Sequence, residues 1–322
     1  MSYNLTSYTK YVQQRSAAVS CPGLYCGKTV LGSGELSECS ACPRGSRPDP
    51  NDDICHPCVN TLFLYDWMYL AFMALLPLIL NGAILDMVFR NWRKHTYVLL
   101  QLSNLCEAAL AAFLTIVLFR SKEDGSFSIK SCGVNRLTDW YTLFFNPKPD
   151  YVNSVRCTQE IVYPLYSMVF AYIFFSLIFM LAFRGLLARS PWSHDLAKNA
   201  ILASLYQYPV WLVMHACLAG VIYYVFPYAS VVLSVVSSTV QYAITPDQTV
   251  SKLCRKLFTS PHSLTILLLH WLVLAFGVLS LAHFPSLIAS YAVFLSCIPV
   301  PTVVYISTIR FTDPTKYYDY FE

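Results

Sequence analysis

Charge is scarce in this sequence. Only 12% of its 322 residues are Asp, Glu, Lys or Arg, against about a quarter in an ordinary soluble domain. That shortage argues against a soluble enzyme. A basic run long enough to follow a phosphate backbone is also missing, and the net charge is only +4, so nucleic acid is not an expected partner. The first twenty residues, MSYNLTSYTKYVQQRSAAVS, hold no apolar core of a cleavable signal peptide. If this end crosses a membrane, the first apolar helix must carry it. No G-x-S-x-G, Walker loop, G-x-G-x-x-G, kinase signature or H-E-x-x-H occurs. No enzyme, cofactor or metal site is therefore expected. Neither DRY-like nor NPxxY-like receptor signatures nor a transporter-type internal repeat is present.

Apolar residues are abundant instead. They make up 56% of the chain, with 15% aromatics and a mean hydropathy of +0.48. Seven segments read as membrane-spanning helices, at about 67–89, 97–119, 163–183, 200–226, 227–244, 263–283 and 286–309. Each is long enough for the ~30 Å hydrocarbon core. The fifth is the weakest, because VVLSVVSSTV is rich in Ser and Thr and FPY leaves almost no loop before it. It reads as the second arm of a tight hairpin. The expected fold is thus an all-α polytopic membrane protein with a small N-terminal disulfide-rich lumenal module. Residues 1–64 form that module and 65–309 the seven-helix domain, with a lumenal loop at 120–160. Residues 310–322 form a cytosolic tail.

Loop charge sets the expected orientation. Arg90, Arg93 and Lys94 follow helix 1, Arg184, Arg189 and Lys198 follow helix 3, and Lys252, Arg255 and Lys256 follow helix 5. The short loops after helices 4 and 6 have no Lys or Arg. By the positive-inside rule, the N-terminus is lumenal and, after seven spans, the C-terminus cytosolic. The long loop after helix 2 mixes both signs and weighs less in the rule.

Two C-x-x-C pairs, Cys39/Cys42 and Cys55/Cys58, stand twelve residues apart, close to a zinc-ribbon spacing. Cys21 and Cys26 precede them and make an even set of six. On the oxidising side of a membrane such a set reads as disulfides, in one of fifteen pairings. Cys132 and Cys157 lie in the lumenal loop, where a bridge between them would close a 24-residue gap. Asn4-Leu5-Thr6 is a glycosylation sequon.

Intramembrane polar residues are candidates for function. Glu107 sits mid-helix in LSNLCEAAL, and His215 and His270 lie in helices 4 and 6. The plain alternative for each is packing with a satisfied hydrogen bond. Asp86 and Arg90 read as a local pair. Asn81, Gln101, Asn104, Gln207 and Gln241 are suited to joining helices. SKLCRKLF (251–258) sets basic residues before apolar ones, as kinase-docking segments do, but also fits an ordinary positive-inside loop. Tyr317, Tyr318 and Tyr320 in the tail suit interfacial anchoring or phosphorylation.

Several stretches carry a resemblance. CPGLYCGKT (21–29), LYDWMYLAFMALLPLIL (64–80), DWYTLFFNPKPDYVNSVRCTQEIVYPLY (139–166), YYVFPY (223–228) and RFTDPTK (310–316) together resemble the Jun-kinase-associated membrane protein family. The resemblance implies a multispan protein of the endoplasmic reticulum membrane. It implies an adaptor that recruits proteasome subunits and a membrane-anchored RING ubiquitin ligase to dispose of misfolded proteins. It also implies binding of a Jun N-terminal kinase and control of how long its stress signal lasts. The rival expectation is a receptor or transporter with a mid-membrane polar site around Glu107. An enzyme would need Glu107, His215 and His270 to converge.

Overall fold

The computed structural model describes residues 21, 23–32, 34–89, 94–121, 128–144, 157–189, 194–243, 249–281 and 295–312. Asn4, Arg90 of the Asp86 pair, and the tail tyrosines lie outside these residues. The chain divides into two compact units, Met1–Phe63 with Met73–Gly220, and Leu64–Phe72 with Val221–Glu322.

The first unit begins with short strands. β1 (Cys26–Gly27) pairs antiparallel with β2 (Ser40–Ala41), and β3 (Ser46–Pro48) with β4 (Cys55–Pro57). β5 (Asn60–Thr61) pairs with β6 (Lys130–Ser131) from the loop after the second helix. Strands of two or three residues cannot hold a sheet alone, so cross-links carry the module. The helices follow: α1 (Leu64–Phe89), α2 (Lys94–Phe119), α3 (Leu165–Ala188), α4 (His194–Leu205) and α5 (Gln207–Ala243). A 3₁₀ turn, Leu137–Trp140, lies between α2 and α3. It rests on Gly220 of α5, where a Cβ would stand only 2.9 Å from Trp140.

The second unit takes the first turns of α1, the later part of α5, and α6 (Val250–Thr259), α7 (Pro261–Leu281) and α8 (Val300–Thr312). α6 packs against α7 and α8. Thr302 receives a hydrogen bond from Trp271 Nε1 at 3.1 Å and lies 3.2 Å from the Tyr242 hydroxyl, tying α5, α7 and α8 together.

Five stretches are long and apolar enough to cross a membrane: 64–85, 97–119, 165–188, 197–243 and 263–281. Seven are not found among the described residues. The expected hairpin at FPY is absent, since α5 runs unbroken for 37 residues with Pro227 inside it. That is roughly 55 Å of helix. Proline lacks an N–H and frees the carbonyl four residues earlier, here that of Tyr223. The Tyr65 hydroxyl donates to this carbonyl at 2.8 Å, so the break that the sequence signals is repaired from another helix. Gly277 of α7 fits beneath the same point, where a Cβ would meet Pro227 O at 3.0 Å. The Ser- and Thr-rich run is accommodated as well. Ser230, Ser237, Ser238 and Thr239 donate to carbonyls of their own helix, and Ser234 donates to His270 O.

Two consequences follow for orientation. The cation-free loop assigned after helix 4 is not a loop, and the parity that set the termini on opposite faces needed it. Arg184, counted as a loop cation, lies inside α3 and is fully buried. The seventh expected span falls partly outside the described residues, and α8 has 13 residues, about 20 Å of helix.

Candidate functional site: a buried ion pair and a disulfide-stapled head

All eight candidate cysteines are bridged, as Cys21–Cys39, Cys26–Cys157, Cys42–Cys55 and Cys58–Cys132. The zinc reading falls because no free thiolate remains in the two C-x-x-C pairs. The expected Cys132–Cys157 bridge is also corrected. β5 pairs with β6 and so brings Cys58 beside Cys132. Cys26 and Cys157 lie in a small core with Cys21, Tyr25 and Ile161. The N-terminal cysteines are therefore not a closed set of six; two reach the loop after α2.

Polar contacts join the same two segments. Asp139 is buried and accepts from Tyr25 Oη at 3.0 Å and Arg47 Nη2 at 3.2 Å. It also accepts from the backbone N–H groups of Asn135 and Arg136. The Arg44 guanidinium lies over the rings of Phe119, at the end of α2, and Tyr163, just before α3, at 5.3 and 5.4 Å. Glu160 accepts from the backbone N–H and the hydroxyl of Ser167 in the first turn of α3. Burial nevertheless raises the Glu160 carboxyl above its ordinary value, against the pull of Ser167 and Arg44.

Four helices build a second polar centre. Glu107 on α2 meets Arg184 on α3 in a two-pronged pair, Nη2 to Oε2 at 2.9 Å and Nε to Oε1 at 3.0 Å. Both side chains are sealed, at 0% exposure for Arg184 and 3% for Glu107. Arg184 Nη1 donates to Ala200 O at 3.0 Å and to Ser204 Oγ, both on α4. Ser103, one turn before Glu107, donates to Oε1 at 2.6 Å. Ser204 donates to Asn81 on α1, and Asn81 donates to Asn104 at 2.7 Å. Asn104 and Gln101 donate in turn to the carbonyls of Leu78 and Gly82. The helical period puts Ser103, Asn104 and Glu107 on one face of α2. A buried charge pair offsets its desolvation only when its remaining donors and acceptors are met, and here the chain of bonds meets them.

A cavity of about 30 Å³ adjoins the pair, lined by Glu107, Asn104, Ser176, Ser204, Gln207 and Tyr208 among others. This is room for about one or two waters. Gln207 Nε2 is buried there with no protein partner.

The other sequence candidates have surroundings of their own. His215 is buried on α5, with Nε2 3.0 Å from Tyr166 O and its ring between Tyr166 and Phe170. His270 lies on α7 with Nδ1 2.8 Å from Ile266 O, in its own helix. Glu107, His215 and His270 are each engaged by partners of their own. Asn81, Gln101 and Asn104, expected to join helices, do so. Sequence reading missed Arg184 and Ser204. The signal was available: Arg184 interrupts the apolar run FMLAFRGLL, and an intramembrane Glu calls for a counter-charge.

A disulfide-stapled head on a set of apolar helices, with one ion pair sealed between them, defines an integral membrane protein. Its sequence matches the family model for JNK1/MAPK8-associated membrane protein over residues 21–314, and the chain belongs to that family. It is 38% identical over 306 residues to the human and mouse proteins named JNK1/MAPK8-associated membrane protein, covering 92% of this chain and 95% of each relative. A Caenorhabditis elegans homologue is 30% identical over 312 residues, covering 92% of this chain and 94% of the relative. No solved structure matches.

Proposed function

We propose that this chain is a non-enzymatic adaptor of the endoplasmic reticulum membrane. In this reading it recruits proteasome subunits and a membrane-anchored RING ubiquitin ligase for disposal of misfolded proteins. It also binds a Jun N-terminal kinase and sets the duration of its stress signal. The observation that carries the reading is the family match over 21–314, with relatives named for association with JNK1/MAPK8. The polar centre agrees with it. Every nitrogen of Arg184 is committed to Glu107, Ala200 or Ser204, which suits a clamp between helices better than a reaction centre. The disulfides support a lumenal head, because such bridges persist on the oxidising side. In this division of labour residues 1–64 face the lumen and 65–309 hold the membrane.

The receptor or transporter reading predicts a substrate-sized pocket at Glu107. The cavity there, about 30 Å³, is far below the ~300 Å³ at which small-molecule sites begin.

The test uses the full chain, tagged and expressed in cells lacking the native protein. Adaptor function predicts co-purification of the kinase and of proteasome subunits, and a kinase signal after stress that outlasts the signal in cells without the chain. Loss of all co-purification, with the chain folded and in the reticulum, would refute it. Endoglycosidase H sensitivity, lost in Asn4→Gln, would report a lumenal N-terminus.

A further inference from the structure

We infer that α6 is an in-plane surface helix that binds anionic phospholipid headgroups. Its sequence, VSKLCRKLFT, divides cleanly at the helical period. Val250, Leu253, Cys254, Leu257 and Phe258 fall within an arc of roughly 140° at 100° per residue. Ser251, Lys252, Arg255, Lys256 and Thr259 fall on the opposite side. The polar side holds three cations and the helix holds no acid. Arg255, Ser251 and Thr259 are exposed, whereas Cys254 is half-buried.

Connectivity supplies the second, independent observation. α5, part of a candidate span, ends at Ala243, and α7, another, begins at Pro261. A helix of ten residues is about 15 Å long and cannot cross the ~30 Å hydrocarbon core. Only residues 244–249 separate it from α5, and only Ser260 from α7. The helix is therefore held where the α7 span meets the membrane surface. An amphipathic helix with cations on its polar side lies in the interface there, packed beside α7 and α8 with the rest of its apolar side toward the acyl chains. Phosphate-bearing anionic headgroups match the cationic side. A protein partner would need the same charge to face away from a surface that attracts it.

The test uses the full chain with its disulfides intact. Cys106, Cys217 and Cys297 are the other free cysteines besides Cys254. With these three changed to Ser, Cys254 carries an environment-sensitive fluorophore. The protein is placed in nanodiscs of phosphatidylcholine, with or without phosphatidylserine. Quenching by nitroxide lipids should exceed quenching by aqueous iodide in both. Nitroxide-labelled phosphatidylserine should quench more strongly than equally labelled phosphatidylcholine. Each cation is expected to contribute about fivefold to that preference at low salt. The triple variant Lys252→Glu, Arg255→Glu, Lys256→Glu should abolish the preference and leave lipid quenching in place. Strong iodide quenching without lipid quenching would overturn the inference and make this a protein-docking face. Equal quenching by the two lipids in the unaltered helix, or a preference that survives the triple variant, would overturn it too. The two-lipid comparison needs no charge variant, so misfolding of that variant does not blunt the test.

Discussion

Among the described residues, two arginine–carboxylate pairs form under different conditions. Arg47 and Asp139 meet in the stapled head, with Asp139 sealed and 24% of the Arg47 side chain still exposed. Glu107 and Arg184 meet among the membrane helices, with 0% of Arg184 and 3% of Glu107 exposed. The head pair keeps bulk water as a fallback, because Arg47 can turn outward. The helix pair has only the small cavity beside Glu107. Its cost is met by a relay of Ser and Asn bonds that the head does not need. Polar order in the head is backed by covalent bridges, whereas around the helix pair it rests on hydrogen bonds alone.

Breaking one side of the helix pair gives the largest expected effect. Glu107→Gln should lower stability by about 3–5 kcal/mol, because it strands a buried guanidinium. Arg184→Met should do the same by stranding the carboxylate. The double variant Glu107→Leu, Arg184→Met should recover much of the loss. Thermal unfolding in detergent checks this, and single variants as stable as the parent would remove the ion pair from the account. The equivalent break in the head, Arg47→Gln, should cost less, about 1–3 kcal/mol, because the sealed Asp139 keeps its bonds from Tyr25, Asn135 and Arg136. Equal losses at the two sites would erase the contrast.

Next is the covalent side. Replacing Cys26 and Cys157 by Ser removes a bridge between residues 131 apart. The expected loss is about 2–4 kcal/mol, confined to the head if the helices stand on their own bonds. Limited proteolysis should then open residues within the head before the spans. Simultaneous collapse of both would show that the staples also hold the helices.

A smaller effect tests the proline repair. Tyr65→Phe removes the donor to Tyr223 O, and loss of that hydrogen bond should cost about 1 kcal/mol. Restoring Pro227→Ala in that background supplies an N–H to the same carbonyl and should return most of the loss. If Pro227→Ala gives no rescue, Tyr65 does not act through that carbonyl.

Much of the membrane architecture was legible because apolar runs encode spans directly. The failures have one cause: a partner distant in sequence. Pro227, the proline of FPY, reads as a turn locally, and only Tyr65, on another helix, shows why it is not. The cysteine pairing was illegible because β5 and β6 are two residues each and carry no periodic signal. Glu107 was visible as an anomaly. Its partner was misassigned because the apolar run around Arg184 extends further than the span drawn from hydropathy, so a buried cation was counted as a loop cation.

The finest test concerns Glu160, where the head meets α3. Its carboxyl is raised above 4.5 in the folded chain by burial. The folded state therefore holds this proton more tightly than the unfolded state. That contribution to stability is fully present below the unfolded value and is lost as pH rises through the folded one. Melting of the parent should fall from pH 4 toward neutrality more steeply than melting of Glu160→Gln, which has no proton to lose. Other groups titrate in both proteins, so only the difference in slope reports Glu160. Parallel slopes would mean that the bonds from Ser167 offset burial. The head would then carry an ionised cap for α3 at no pH-dependent cost.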